Sequence, residues 1–389
     1  DYVLRDLKDP AGGLRCAEDA DSEGVEGKFY VWTKAEIEAA LGKDAELACV
    51  AYGVTDEGNV HDEATHRKTG ANVLHLPRPL PEVAKAKGMS LGDVERRLGA
   101  ARARLLQARS KRVRPQLDDK VLTDWNGLAI AALAKAGTAL GEPRFIQAAV
   151  DAALFLQREM TMADGKAGTK DRLRHRWHAG RKDDHGFLDD HAFLLWGLLE
   201  LYDATLDAAW LVWATRVGDG LTPFRDPSGG WFLSPDDGED LGVRRKEAYD
   251  GALPSGNAVA AWCLVRLALL TGDARWETEA DAAVKAFAGL AGEHPQAFTG
   301  LLLAHDLAQG SRELLVAGSG KPAIDLLAEA RRAYDPHRVL LHQSPELAAV
   351  APWTKDHRPG SAMAAAFLCE GHACKRPVST PEQLRALLH

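Results

Sequence analysis

The segment His185-Gly186-Phe187-Leu188-Asp189-Asp190-His191 places two adjacent carboxylates between two imidazoles at the head of an apolar helical pattern. Adjacent acids can have their pKa values pushed apart, so that one donates a proton while the other accepts one. His191 adds a group that titrates near neutrality. The six-residue spacing of His185 and His191 does not place two metal ligands on one helical turn. A second group of polar residues, Asp118-Asp119-Lys120 followed by Asp124-Trp125-Asn126-Gly127, opens another helical pattern. A flat indole with carboxylate and amide neighbours suits a sugar: the ring stacks on the apolar face of a pyranose, and the polar groups hydrogen-bond its hydroxyls. A third, Pro254-Ser255-Gly256-Asn257, has the small residues that let a ligand approach the backbone. A fourth, residues 18–26, holds Glu18, Asp19, Asp21, Glu23 and Glu26, five like charges in nine residues. Either something opposes these charges or they form a solvated turn between two strands.

Other chemistries find no support in the spacing. No Gly-x-Ser-x-Gly elbow is present. Gly318-Ser319-Gly320-Lys321 lacks the phosphate-loop spacing and reads as a helix start. The EF-hand calcium loop is absent, and no metal or cofactor is expected. His61, His66 and His75 match no ligand spacing and read as loop histidines. Cys369 and Cys374 are five apart, not the two-residue spacing of a thioredoxin-type centre. A zinc site there needs two further ligands, and only His372 is near in sequence. Cys49 and Cys263 sit on apolar helical faces as inert core residues. Five cysteines in 389 residues suit a reducing, cytoplasmic setting better than a disulfide framework. The net charge of −8, with no basic block, argues against nucleic acid and anionic membrane.

The elements that must position these groups are helices. Apolar residues recur at helical spacing in nine segments before residue 310: 33–51, 90–109, 123–140, 144–160, 186–204, 208–218, 256–270, 274–290 and 295–308. Thr33 and Glu36 form a capping box. The polar helix starts are periodic: 65 residues separate Trp125 from Asp190, and 65 separate Asp190 from Ser255. Asp9-Pro10-Ala11-Gly12-Gly13 recurs as Asp226-Pro227-Ser228-Gly229-Gly230, and Leu173–Lys182 reads as a related ribbon. A repeated helix pair with hairpins on one side predicts a mainly α, (α/α)6-toroid-like chain with helix starts around one mouth, in preference to an open α-solenoid, whose repeat is usually shorter and whose loops are blander. Residues 1–310 are expected to form the toroid. Residues 311–389 are expected to add a strand–helix–strand element and tail packed on it.

The motifs at 12–24, 26–33, 118–128, 186–193, 254–260 and 369–378 resemble the thioredoxin-domain-containing family that includes spermatogenesis-associated protein 20. The resemblance implies a thioredoxin-like domain followed by a toroid similar to N-acylglucosamine 2-epimerases and six-hairpin glycosidases. The chain contains no Cys-x-x-Cys, and nine helices fall three short of twelve. The missing three are therefore expected before Asp1, and the isolated chain is expected to be less stable than its parent and to associate. The functional expectation is a pocket that binds or hydrolyses a carbohydrate. Asp190, Asp189, Asp119 and Asp21 are its acid/base groups, and Asp19, Asp118, Asp124, Trp125, Asn126, His191, Ser255 and Asn257 bind the sugar. The alternatives are a recognition module serving the upstream thioredoxin-like domain, and a sugar epimerase or isomerase.

Overall fold

In a computed structural model, residues 1–61, 65–163, 171–182, 185–239, 242–332, 334–371 and 373–388 are described. The chain divides into two compact units. Residues 17–118 form one, and residues 1–16 with 119–389 form the other. The first is thus inserted in the sequence of the second. The expected boundary at 310/311 lies inside the larger unit, where the C-terminal element packs with the helices.

The inserted unit begins with short strands, β1 (Ala17–Glu18), β2 (Asp21–Ser22) and β3 (Val25–Glu26). β2 and β3 form a tight hairpin. Glu23 and Gly24 at its tip both have positive φ, the primed turn that matches strand twist. Helices α1 (Lys34–Leu41), α2 (Ala45–Ala51), α3 (Leu80–Lys87) and α4 (Leu91–Arg109) follow, and β4 (Leu117–Asp118) closes the unit against β1. The Thr33–Glu36 capping box is present. The helix expected over 33–51 is broken at Gly42, whose φ of 53° leaves the helical region. α3, with Pro79 as its N-cap, Pro81 in its first turn and Gly88 at its end, has no counterpart in the sequence reading. α4 buries Val94, Leu98, Ala101 and Leu105, a single stripe at helical spacing.

The larger unit opens with residues 1–16 and, after the insertion, resumes with β5 (Val121–Leu122), α5 (Thr123–Leu140), α6 (Pro143–Glu159), and strands β6 (Thr161–Ala163), β7 (Asp171–Leu173), β8 (Arg176–His178) and β9 (Arg181–Lys182). Then come α7 (Leu188–Thr205), α8 (Ala208–Asp219), α9 (Gly256–Thr271), α10 (Ala274–Glu293) and α11 (Thr299–Gly310). Three helix pairs share one connection. The first helix ends on a left-handed residue (Gly141, Leu206 or Gly272), and a polar residue (Glu142, Asp207 or Asp273) precedes the second. α5 packs on α7, α7 on α9 and α9 on α11, while α6, α8 and α10 pack outside their partners. α7 and α9 are buried almost all round, whereas α6 shows one buried stripe. This is the two-layered arc of an (α/α) toroid, with seven of its helices among the described residues of this unit. α5 and α7 cross at Gly127, where a Cβ would lie 2.4 Å from the carbonyl carbon of Phe193.

The repeated Asp-Pro-x-Gly-Gly loops do matching work. Asn126 in α5 accepts from Leu14 N and donates to Leu14 O (both 2.8 Å). Asn257 in α9 accepts from Trp231 N (2.8 Å) and donates to Trp231 O (2.9 Å). Each asparagine therefore clamps the residue just after its Gly-Gly. The inserted unit occupies the stretch between loop and helix in the first of these repeats.

β10 (Arg312–Gly318), α12 (Gly320–Ala330) and β11 (Arg338–His342) form the expected strand–helix–strand element, with β10 and β11 parallel. α13 (Pro345–Val350), β12 (Ala364–Glu370), β13 (Ala373–Cys374) and α14 (Pro381–Leu388) complete the chain. The sheet order is β11-β10-β12-β13. Alternate residues of β12 face opposite ways: Ala365, Phe367 and Cys369 face the helical core, and Ala364, Ala366 and Leu368 face a separate cluster with α12. No described helix is long and apolar enough to cross a membrane.

Candidate functional site

The starts of α5, α7 and α9 converge, and their carboxylates are brought together there. Asp190, in the first turn of α7, is fully buried. Its oxygens accept from Phe187 N (2.7 Å) and Asp124 N (3.0 Å). His175 Nδ1 lies 3.1 and 3.2 Å from the two oxygens. The ring of His175 is held edge-on to Phe187, and Thr123 Oγ1 donates to the neighbouring Arg174 carbonyl (2.6 Å). Asp190 is thus the hub of the cluster rather than the open acid or base expected from the sequence.

Asp124 and Asp189 flank that hub. Burial first, and then the charge of Asp190, push Asp124 up to about 6. The same two causes in the same order push Asp189 up to about 6, with Asp124 and Glu247 adding to them. His175 opposes both shifts. Asp189 lies directly over Gly256, where a Cβ would come 2.1 Å from its Oδ1. Glycine at the start of α9 is therefore what admits this carboxylate. Asp189 lines a cavity of about 380 Å³ with Glu247, Tyr249, Leu253 and Ser255, within the size range of small-molecule sites. Trp125, next to Asp124, is 43% exposed.

The remaining expected residues fall elsewhere. Asn126 and Asn257 are buried, and their amides are spent on the loop clamps. They hold backbone rather than offer themselves to a sugar. Ser255 caps α9 by accepting from Ala258 N (3.1 Å) and also borders the cavity. His191 is fully buried against Phe224, with Nδ1 3.0 Å from the Phe187 carbonyl. Its Nε2 has no hydrogen-bond partner among the described residues. Burial lowers it to about 4, which keeps the imidazole neutral in the core. Asp119 is exposed and pairs with His178 Nε2 at 3.0 Å. Asp19, Asp21 and Asp118 belong to the inserted unit. Asp19 caps its own turn by accepting from Asp21 N (3.0 Å), and Asp21 is exposed on β2. The acidic segment is opposed by Arg114 on Glu18 and Lys28 on Glu23.

Sequence reasoning missed His175, Glu247 and Tyr249. Only the alternation around His175 hinted at a residue with a fixed direction. Asp124, His175 and Asp190 can each bring one ligand atom within 4.8 Å of the others. Both Asp190 oxygens already accept N–H donors, one from Phe187 before α7 and one from Asp124 in α5, and a metal there would compete with them.

The whole chain aligns with part of a known protein. It is 32% identical over 421 residues to human spermatogenesis-associated protein 20, covering 100% of this chain and 53% of that protein. The chain is a homologue of spermatogenesis-associated protein 20. The mouse protein matches equally, and an uncharacterised Caenorhabditis elegans protein is 28% identical over 407 residues, covering 97% of this chain and 55% of that one. The chain therefore spans about half the length of the curated relatives it matches. No family model matches it. Among solved structures, an unsaturated glucuronyl hydrolase specific for heparin shares 17% identity over 54% of this chain and 58% of its own, with a TM-score of 0.37. A GH76 α-mannanase of Bacteroides thetaiotaomicron shares 16% over 45% and 46%, with a TM-score of 0.34.

Proposed function

We propose that the larger unit binds and processes a sugar-like small molecule, with Asp124 and Asp189 as its acid/base pair and Asp190 as the fixed charge that tunes both. The observation that carries this reading is the elevation of both flanking carboxyls to about 6 around a fully buried third one. Near pH 6 each of the two is half protonated. One can then protonate a leaving oxygen while the other activates water. The exposed ring of Trp125 offers a stacking face. Ser255, Glu247 and Tyr249 offer hydrogen bonds along the cavity.

The test is turnover of a panel of aryl glycosides, with sugar binding followed by tryptophan fluorescence. Asp124→Asn and Asp189→Asn are each expected to lower kcat at least a hundredfold while leaving the circular dichroism spectrum unchanged. Full turnover in both variants contradicts the assignment.

A recognition module beside a thioredoxin-like domain of a longer protein is the second reading. It is favoured by Asn126, Asn257, His191 and Asp190 all being committed to backbone groups. It predicts partner capture that neither Asp124→Asn nor Asp189→Asn changes.

A further inference from the structure

Cys369 and Cys374 are disulfide-bonded, facing each other across the β12–β13 hairpin. The sequence spacing alone left the role of these two cysteines open between a structural one and redox or metal chemistry. Among the described residues an imidazole, His357, is brought to the pair from a distant part of the sequence; His372 lies outside the described residues. His357 Nδ1 is 3.2 Å from the Trp353 carbonyl, which only a protonated Nδ1 can satisfy as donor. Nε2 is therefore the basic nitrogen, and it lies 3.5 Å from Cys374 Sγ. The ring is fixed edge-on between Trp353 (5.4 Å) and Phe367 (4.9 Å).

The two sulfurs differ in access. Cys369 is buried on the core-facing side of β12, whereas Cys374 is exposed. Both border a cavity of about 490 Å³ walled by Val265, Ala268, Leu269 and Trp353, with Glu277 and Glu313 as its acidic members. An accessible sulfur, a buried partner and an oriented base at an open cavity form an asymmetric arrangement. A merely structural crosslink has no use for the base.

We propose that Cys369–Cys374 is a redox-active disulfide that exchanges with dithiols, with Cys374 as the attacked sulfur and His357 as the proton carrier. His357 Nε2 takes the proton of an incoming thiol. The resulting thiolate attacks Cys374 Sγ, an S–S bond forms between them, and the Cys369–Cys374 bond breaks. Cys369 leaves with the electron pair and takes the proton back from His357. The second thiol of the same dithiol loses its proton to His357 and attacks the sulfur of its own partner in the mixed disulfide. Cys374 is then released as a thiolate beside the imidazolium. Two electrons pass from the dithiol, which becomes the disulfide, to the Cys369/Cys374 pair, and its two protons end on Cys369 and on His357 beside the Cys374 thiolate.

The test uses the full chain in dithiothreitol buffers of increasing reduced fraction, and the Cys369→Ser chain in oxidised glutathione, each trapped with N-ethylmaleimide and read by intact mass. The pair is expected to take up two maleimides while circular dichroism still reports the folded chain. In Cys369→Ser, glutathione is expected to load on Cys374 at least ten times faster than on the free Cys16, and His357→Gln in that background is expected to slow loading at least tenfold without moving the melting temperature. A pair that stays oxidised until the chain unfolds overturns the proposal. So does loading of Cys374 no faster than Cys16, or loading indifferent to His357→Gln. The wild-type measurement stands even if Cys369→Ser fails to fold.

Discussion

Asp190 and Glu200 lie on the same helix, ten residues or about 15 Å apart, and both are buried. Each has a neighbouring carboxyl, Asp203 in the case of Glu200, but the cations around them differ. Glu200 is met by Arg266 (2.8 Å), Lys135 (3.7 Å) and Trp196 Nε1 (3.1 Å). Burial pushes Glu200 up, but Arg266 and Lys135 more than offset it and hold its carboxyl below the usual range. Around Asp190 there is an imidazole and two more carboxyls, and those carboxyls rise to about 6. This helix thus carries a neutralised acid in its later turns and, a few turns earlier, part of an acid cluster, shared with Asp124 of α5, whose raised carboxyls cost stability. Clusters of the second kind mark functional sites more often than structural ones.

The largest effect that sharpens this contrast is at the paired end. Arg266→Met leaves Glu200 buried without its closest cation, and urea unfolding is expected to show a loss of about 3–5 kcal/mol. Adding Glu200→Gln is expected to recover part of that loss. His191 comes next. Its folded pKa of about 4 lies below the ordinary 6.5, so the unfolded chain binds the proton more tightly. Stability should therefore fall as pH drops from about 6.5 to 4, by about 3 kcal/mol, and His191→Leu should flatten that part of the curve.

The smallest stability effect has the opposite sign. Asp124 and Asp189 are raised above their ordinary 3.8, so the folded chain holds their protons more tightly than the unfolded one. Asp124→Asn or Asp189→Asn is then expected to stabilise the chain at pH 8 by about 1–2 kcal/mol, less than the roughly 3 kcal/mol of the full shift because both carboxyls are part-exposed and screened by water. The gain should fade as pH falls through 6 and vanish below 4. A matching change at Glu200 should destabilise at pH 8, and equal signs at the two ends would break the comparison.

Much of the frame was legible in the sequence because local chemistry dictates it. The capping box, the polar helix starts, the 65-residue period and the strand–helix–strand element each follow from short-range rules. The helix break at Gly42 and the short, proline-started α3 were not legible, since their apolar stripes are too short to register a period. The inserted unit was hidden because its helices resemble toroid helices in composition. At the site, the acid pair was visible, but the division of labour was not. Nothing in the order Asp189-Asp190 says which carboxylate turns inward, because that is set by N–H donors at Phe187 and Asp124. The asparagines were misread for a related reason. The repeated Gly-Gly loops were noticed without asking what holds them, and Asn126 and Asn257 are the answer.

The measurement that bears most directly on the central claim is a carboxyl carbon NMR titration of Asp124 and Asp189, in the native chain and in Asp190→Asn. The account predicts midpoints near 6 for both in the native chain, and lower midpoints for both once the Asp190 charge is gone. Midpoints near 4 in the native chain, or values unmoved by Asp190→Asn, would contradict it.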